Sequence, residues 1–137
     1  MHIQVLLGNI GQFAAYFGLS LGLLVLFKFA YAAVTPHDEW KLIKEHKNVA
    51  AALGFGGAIV GFALALAGVV SHSVSLLDFL VWGGVALVAQ SLAFLLVRAF
   101  FMPTIVARIE ANETSAGIML GITSIAVGLL NAACMTY

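Results

Sequence analysis

Four stretches of this chain carry no charged side chain and are long enough to cross a lipid bilayer. They are residues 1–27, 49–77, 79–97 and 114–137, punctuated by Lys28, Asp78 and Arg98. A helical crossing of the hydrocarbon layer takes about 20 residues. No water is present there to satisfy backbone N–H and C=O groups, so such a run can only be a helix. Hydrophobic residues make up 63% of the chain and charged residues 9%. A soluble domain of this size buries only about two-thirds of its chain surface. It could not hide that much apolar material, and the same apolarity excludes disorder. Six Lys and Arg balance six Asp and Glu. No global field therefore directs the chain to nucleic acid. The expectation is an all-α membrane protein, one membrane domain over 1–137, with spans at about 10–33, 50–71, 78–101 and 115–135.

The first span must be separated from a signal peptide, because Ala30-Tyr31-Ala32 has the look of a cleavage site. No Lys or Arg precedes the apolar run, and the run is far longer than the hydrophobic region of a leader. We expect it to be retained as an anchor. Lys28, Lys41, Lys44 and Lys47 flank the first connection, and Arg98 and Arg108 the third. The second connection and both termini hold no cation. The positive-inside rule then places all six cations in the cytoplasm and both termini outside. Asp38, Glu39, Glu45, Glu110 and Glu113 accompany them, which leaves a formal +1 inside and Asp78 alone outside.

Self-comparison at an offset of 67 residues aligns landmarks of two halves, about 10–70 and 77–137. Pro36 falls on Pro103, Gly54 on Gly121 and Gly61 on Gly128. Phe27, Ala32, Leu53, Val60 and Ala65 also meet their own kind. Each half holds two spans, so both enter the membrane in the same orientation. The expected architecture is two parallel helical hairpins related by an axis along the membrane normal.

Ser75-Leu76-Leu77-Asp78 precedes the third span, Trp82-Gly83 and Gln90 lie within it, and the chain closes on Ile125-Ala126-Val127-Gly128-Leu129-Leu130-Asn131-Ala132-Ala133-Cys134-Met135-Thr136. In these residues the chain resembles small bacterial inner-membrane proteins built from two DUF350 domains, the UPF0719 family. The resemblance spans essentially the whole sequence. It implies an inner (plasma) membrane location, a tandem repeat and an association with envelope-stress genes. A peripheral envelope-stress protein, such as a phage-shock-like coiled-coil protein, is the kind of partner it implies. It implies no catalytic residue.

Small residues recur four apart: Ala14, Gly18 and Gly22 in the first span, Gly57 and Gly61 near Gly54 in the second, Gly117 and Gly121 in the fourth, with Gly128 beyond. In lipid, helices associate where small residues allow close backbone approach. These stripes are expected to pack spans within the chain, or to join copies into a homo-oligomer. Phe13, Phe17, Phe27, Phe29, Phe94, Phe100 and Phe101 are expected to face lipid or fill gaps. Tyr31, Trp40 and Tyr137 are expected at the membrane interfaces, where amphipathic rings settle. The cytoplasmic connections, about 35–48 and 102–114, are expected to contain short interfacial helices. Residues 37–47 begin with acids and end with bases, which suits a helix dipole. Trp40, Ile43 and Lys47 share a face in the first, and Ile105 and Ile109 lie four apart in the second. Trp40, Lys41, Lys44, Lys47, Arg98 and Arg108 mark the sizeable cytoplasmic interaction surface, where these stretches either dock a peripheral protein or anionic lipid or serve simply as anchoring elbows between spans.

Polar groups inside a bilayer are costly and so point to function. Here Gln90, Ser91, Thr123, Ser124 and Asn131 are the candidates, and no carboxylate lies at the midplane. That argues against a simple proton-coupled transporter. Side-chain amides can join helices through hydrogen bonds of around 1 kcal/mol. His72 and Asp78 lie at the outer face, but neither they nor His2, His37, His46 and Cys134 have metal-ligand spacing. Cys134 is expected to be a small buried hydrophobe. No nucleophile constellation or phosphate-cradling loop is present, so no enzyme and no cofactor are expected. Two functions remain: an oligomeric structural or interaction protein linked to envelope maintenance, and an oligomeric channel or transporter for a small ion or solute.

Overall fold

A computed structural model describes residues 2–135, so Tyr137 lies outside the described residues. Helices α1 (Ile3–Val34), α3 (Val49–His72) and α7 (Thr114–Ala133) are continuous, and α4 (Leu76–Ser91) runs on through α5 (Ala93–Leu96) and a π-helical turn, Val97–Phe101. Four segments are long and apolar enough to cross a membrane: Ile3–Val34, Val49–His72, Leu76–Phe101 and Thr114–Ala133. Two six-residue helices, α2 (Glu39–Lys44) and α6 (Ile105–Glu110), fill the first and third connections. No strand is present among the described residues.

Local chemistry sets the starts of these elements. Asn48 caps α3 by accepting from the Ala51 N–H at 2.7 Å. Ser75 caps α4 by accepting from the Asp78 N–H, while Asp78 accepts from the Val74 N–H. That reciprocal arrangement satisfies two backbone donors at a helix entry that have no intrahelical partner. Helix α1 starts at Ile3, well before the expected core at 10, and has no side-chain cap. Its 32 residues span about 48 Å at 1.5 Å per residue. That exceeds a hydrocarbon core of about 30 Å.

The closest packing is between α3 and α7. Gly117 sits on the Ala50 carbonyl, Gly121 against Gly57, and Gly128 on the Gly61 carbonyl. Further along, a Cβ added at Gly68 would lie 2.8 Å from the Ala132 methyl. Residue numbers rise together along this seam, so the two helices run in the same direction. Backbones meet because neither helix presents a side chain there, which is how helices gain van der Waals contact in lipid. Helix α4 packs on α3, α1 and α7, and α1 rests on α3 and α4.

The interior is richest toward the two short helices. Phe27 stacks on Phe62 with centroids 4.7 Å apart, and Tyr31 lies among Phe27, Phe55 and Phe94. Phe27 and Phe94 are therefore core residues, whereas Phe13, Phe17, Phe29, Phe100 and Phe101 face outward. Tyr31 is fully buried rather than interfacial, because α1 turns it onto α3 and α5 instead of the headgroups. Ile105 and Ile109 are fully buried against the bundle. Cys134 is exposed rather than buried, because it is the C-cap of α7 and lies beyond the helix's packed face.

Candidate functional site

The first elbow begins where α1 ends. Thr35 leaves helical geometry, and its hydroxyl donates to the Tyr31 carbonyl at 3.0 Å. Pro36 follows and cannot extend the helix. The chain turns beneath the bundle, and Asp38 restarts helical structure by accepting from the Lys41 N–H at 3.1 Å. This turn carries His37 and Glu39 inward. Each is about 95% buried, although their neighbours Pro36, Asp38 and Trp40 are exposed. His37 packs its ring against Phe94 at 5.5 Å. Its Nε2 lies 3.4 Å from Glu39 Oε1.

Neither group has a well-formed hydrogen bond at these atoms. Both ring nitrogens of His37 and Oε1 of Glu39 are buried without a hydrogen-bond partner. Burial holds the His37 imidazole below its ordinary pKa, opposed by the charges of Glu110 and Asp38. Burial raises the Glu39 carboxyl and the charge of Asp38 adds to this, while the nearby Thr35 hydroxyl opposes it. Both shifts favour the uncharged forms, as expected when ionisable groups leave water without a close counter-charge. A cavity of about 340 Å³ opens at this point, lined by Thr35, His37, Asp38 and Glu39 together with Lys28 and Trp40. Lys28 Nζ sits 4.4 Å from the centroid of the Trp40 ring, a cation–π arrangement that holds the cation at the rim.

The second elbow is locked to the first. Asn48 Nδ2 donates to the Ile109 carbonyl at 2.8 Å, and the Ala50 N–H donates to Asn112 Oδ1 at 3.1 Å. Lys47 and Asn112 both adopt positive φ, 50° and 58°, a region non-glycine residues enter rarely. Each directly precedes the residue that opens a long helix. Arg108 forms a two-pronged ion pair with Glu113, the Nε–Oε2 distance being 2.8 Å. Trp40 is 45% exposed, and Lys41, Lys44, Lys47 and Arg98 are fully outward.

The intramembrane polar residues separate into local and interhelical groups. Gln90 is fully buried, and its Nε2 donates to the Ser124 carbonyl at 2.7 Å, joining α4 to α7. Asn131 Nδ2 donates to the Ala86 carbonyl at 3.2 Å and joins the same helices nearer the other end. Ser91 Oγ donates to the Leu87 carbonyl of its own helix, and Thr123 Oγ1 donates to Met119 Sδ, also within its helix. Ser124 Oγ, Gln90 Oε1 and the Tyr31 hydroxyl are buried without a hydrogen-bond partner. At the opposite face, His72 contacts the Gly68 carbonyl at 2.9 Å and Asp78 holds the α4 cap. The structure does not bring these two together as a site. Gly18 and Gly22 meet nothing within 4 Å, in contrast to Gly54, Gly57, Gly61, Gly117, Gly121 and Gly128.

Sequence reasoning placed Trp40 and the lysines on the elbow but did not single out Glu39 and His37 as a buried pair. The available signal was their position directly after Pro36, where the chain has to turn under a bundle already committed to lipid on its other sides.

Four apolar helices joined by short polar elbows define an integral membrane protein of the multi-pass type. The chain matches the family model Domain of Unknown Function (DUF350) over residues 5–135 and belongs to that family. It is 41% identical, over the full length of both chains, to the UPF0719 inner membrane protein YjfL of Escherichia coli K12 and to its namesake in Escherichia coli O157:H7. It is 28% identical over 124 residues to the UPF0719 transmembrane protein YshE of Bacillus subtilis 168, covering 89% of this chain and 91% of that one. No solved structure matches. The protein is thus an integral inner-membrane protein of the UPF0719 group.

Proposed function

We propose that the protein is a non-enzymatic structural component of the inner membrane that assembles into a homo-oligomer. In this reading it presents its two elbows to the cytoplasmic surface, where a peripheral envelope-maintenance protein can dock. The observation that carries the oligomer is the outward small-residue face of α1. Ala14, Gly18 and Gly22 are exposed, and among the described residues no other part of the chain would come within 4 Å of a Cβ added at either glycine. Where α3 and α7 meet, equivalent glycines are covered by backbone. An uncovered stripe of this type favours a second helix, because small residues permit close contact that lipid chains do not replace.

The same reading includes a tandem repeat with both termini outside. Two features support the repeat. Each connection contains a six-residue helix followed by a positive-φ residue and a long helix. Helices α3 and α7 run parallel along the seam. The elbow landmarks Lys47 and Asn112 are 65 rather than 67 residues apart, so the second elbow is shorter than the first. The concentration of Lys and Arg at these elbows supports the orientation. A solute path would need polar groups from several helices on one water-accessible face. Instead, Gln90 and Ser124 are fully buried, and the amides of Gln90 and Asn131 stitch one helix pair.

A cysteine placed on the stripe tests the assembly. Gly18→Cys, in a Cys134→Ser background, is expected to form a disulfide-linked dimer in oxidised native membranes. Leu23→Cys, one face round and buried, is expected to give none. Absence of a crosslink at Gly18, together with a monomeric mass in mild detergent, would remove the oligomer from this account.

A further inference from the structure

We propose that the elbow cavity binds the phosphoethanolamine group, with the ammonium seated on Glu39 and His37 and the phosphate on Lys28. The floor of the cavity carries unpartnered acceptors on two side chains that are each about 95% buried: Glu39 Oε1 and whichever His37 nitrogen lacks the proton. Unmet polar atoms of this depth are costly, and a native protein usually supplies them with a partner. A primary ammonium brings three N–H donors and no acceptor. It can serve Glu39 and His37 together, which lie 3.4 Å apart. It also brings the positive charge this carboxyl lacks. Among the described residues, Glu39 has no ion pair except the weak contact with His37, and Asp38 is engaged in capping α2.

Of the other lining residues, Asp38 adds a second carboxylate and Lys28 is the cation. Lys28 lines the cavity and is held over Trp40, leaving its ammonium with no carboxylate partner among the described residues. An anion entering behind the ligand ammonium would meet it. Ala32, Pro36 and Phe55 supply the apolar part of the lining. A volume of about 340 Å³ is at the small end of ligand pockets, which start near 300 Å³, and suits a headgroup rather than a large cofactor. Groups of both signs lining one small cavity match a zwitterion. A simple anion would place its charge next to Glu39, and a choline headgroup has no N–H to donate. The cavity adjoins the end of a membrane-spanning helix, so the nearest source of this group is the ethanolamine phospholipid of the adjacent leaflet. Free phosphoethanolamine is the soluble source of the same chemistry.

The inference does not depend on the oligomer. It is tested by native mass spectrometry of the full-length detergent-purified protein. Phosphatidylethanolamine, phosphatidylglycerol and phosphatidylcholine with identical acyl chains are added in turn. One phosphatidylethanolamine per chain is expected to be retained, at concentrations about tenfold below those needed for the other two, as for a charge-assisted hydrogen bond. Glu39→Gln is expected to abolish that preference, while Lys28→Arg keeps it and Lys28→Gln weakens it. Titration with O-phosphoethanolamine, followed by tryptophan fluorescence, tests the soluble source: saturation there with no lipid preference assigns the site to the free compound. Equal retention of the three lipids with no response to O-phosphoethanolamine would overturn the proposal. So would an unchanged preference in Glu39→Gln. Unfolding temperatures of the variants identify any that fail to fold. If Glu39→Gln is one of them, His37→Gln takes its place and the same loss is required.

Discussion

Gly128→Leu is expected to abolish the folded protein, with a loss of about 3 kcal/mol or more. A Cβ at this position would collide with the Gly61 carbonyl, and the obstacle is backbone rather than a movable side-chain tip. Overpacking of an interior costs about 1–3 kcal/mol where side chains can adjust. Here the two helices would have to separate, which also withdraws the contacts above and below. Native proteins hold only about 5–15 kcal/mol in total. Thermal challenge followed by size-exclusion chromatography in detergent should show aggregated Gly128→Leu and intact wild type. Gly84→Ala is the control. It sits mid-helix with nothing within 4 Å, and it should change stability little. Normal thermal behaviour of Gly128→Leu would mean that α3 and α7 do not meet along this seam.

Asn48→Ala is expected to cost about 2 kcal/mol, the largest effect of any polar truncation in the elbows. One amide does two jobs. Its oxygen caps α3 at Ala51, and its nitrogen crosses to the Ile109 carbonyl in the other elbow. Loss of a cap costs typically ~1 kcal/mol, and a further hydrogen bond about 1 kcal/mol net. Asn48 is 3% exposed, so water cannot replace either bond readily. Asn48→Ser separates the two roles. It keeps a cap acceptor for the Ala51 N–H and is too short to reach the Ile109 carbonyl, so it should fall between wild type and alanine in unfolding temperature. Equal stability of all three would show that the elbows are not coupled through this residue.

The membrane spans were legible because their signal is one of length and charge, both visible without a partner. Lys28, Asp78 and Arg98 bound the uncharged runs, and each lies within the last two turns or the first turn of its helical span, where a polar side chain can reach the headgroups. The small-residue stripes were legible as packing faces, but their partners were not. Gly18 and Gly61 look alike in sequence, yet Gly61 meets Gly128 and Ser124 while Gly18 meets nothing in the chain. A span that is apolar all round carries no record of which side faces protein. Aromatic residues failed for the same reason. Phe27 and Phe29 are two positions apart, one fully buried and one facing out.

The elbow pair was harder still. Asp38, Glu39 and His37 form a polar run that reads as solvent-facing. Only the fold places Phe94 against His37 and the second elbow's Glu110 near it. Ile105 and Ile109 show the complementary error. Their spacing of four suggested an interfacial stripe toward lipid, whereas both are buried in the bundle. In each case the deciding contact links residues far apart in the chain, and periodicity within one segment does not contain it.

In the proposed function the bilayer interior of this protein is packing and not a path, and interaction takes place at its surfaces. Ser124 tests this most directly, because it lies on α7 opposite Gln90 and Gly61 and is fully buried. Ser124→Cys in a Cys134→Ser background is close to isosteric. Treated in native membranes with a membrane-impermeant, water-soluble thiol reagent from either side, it should remain unmodified until the protein is denatured. Rapid labelling of the folded protein would contradict the account and place water beside Gln90, as a channel or transporter requires.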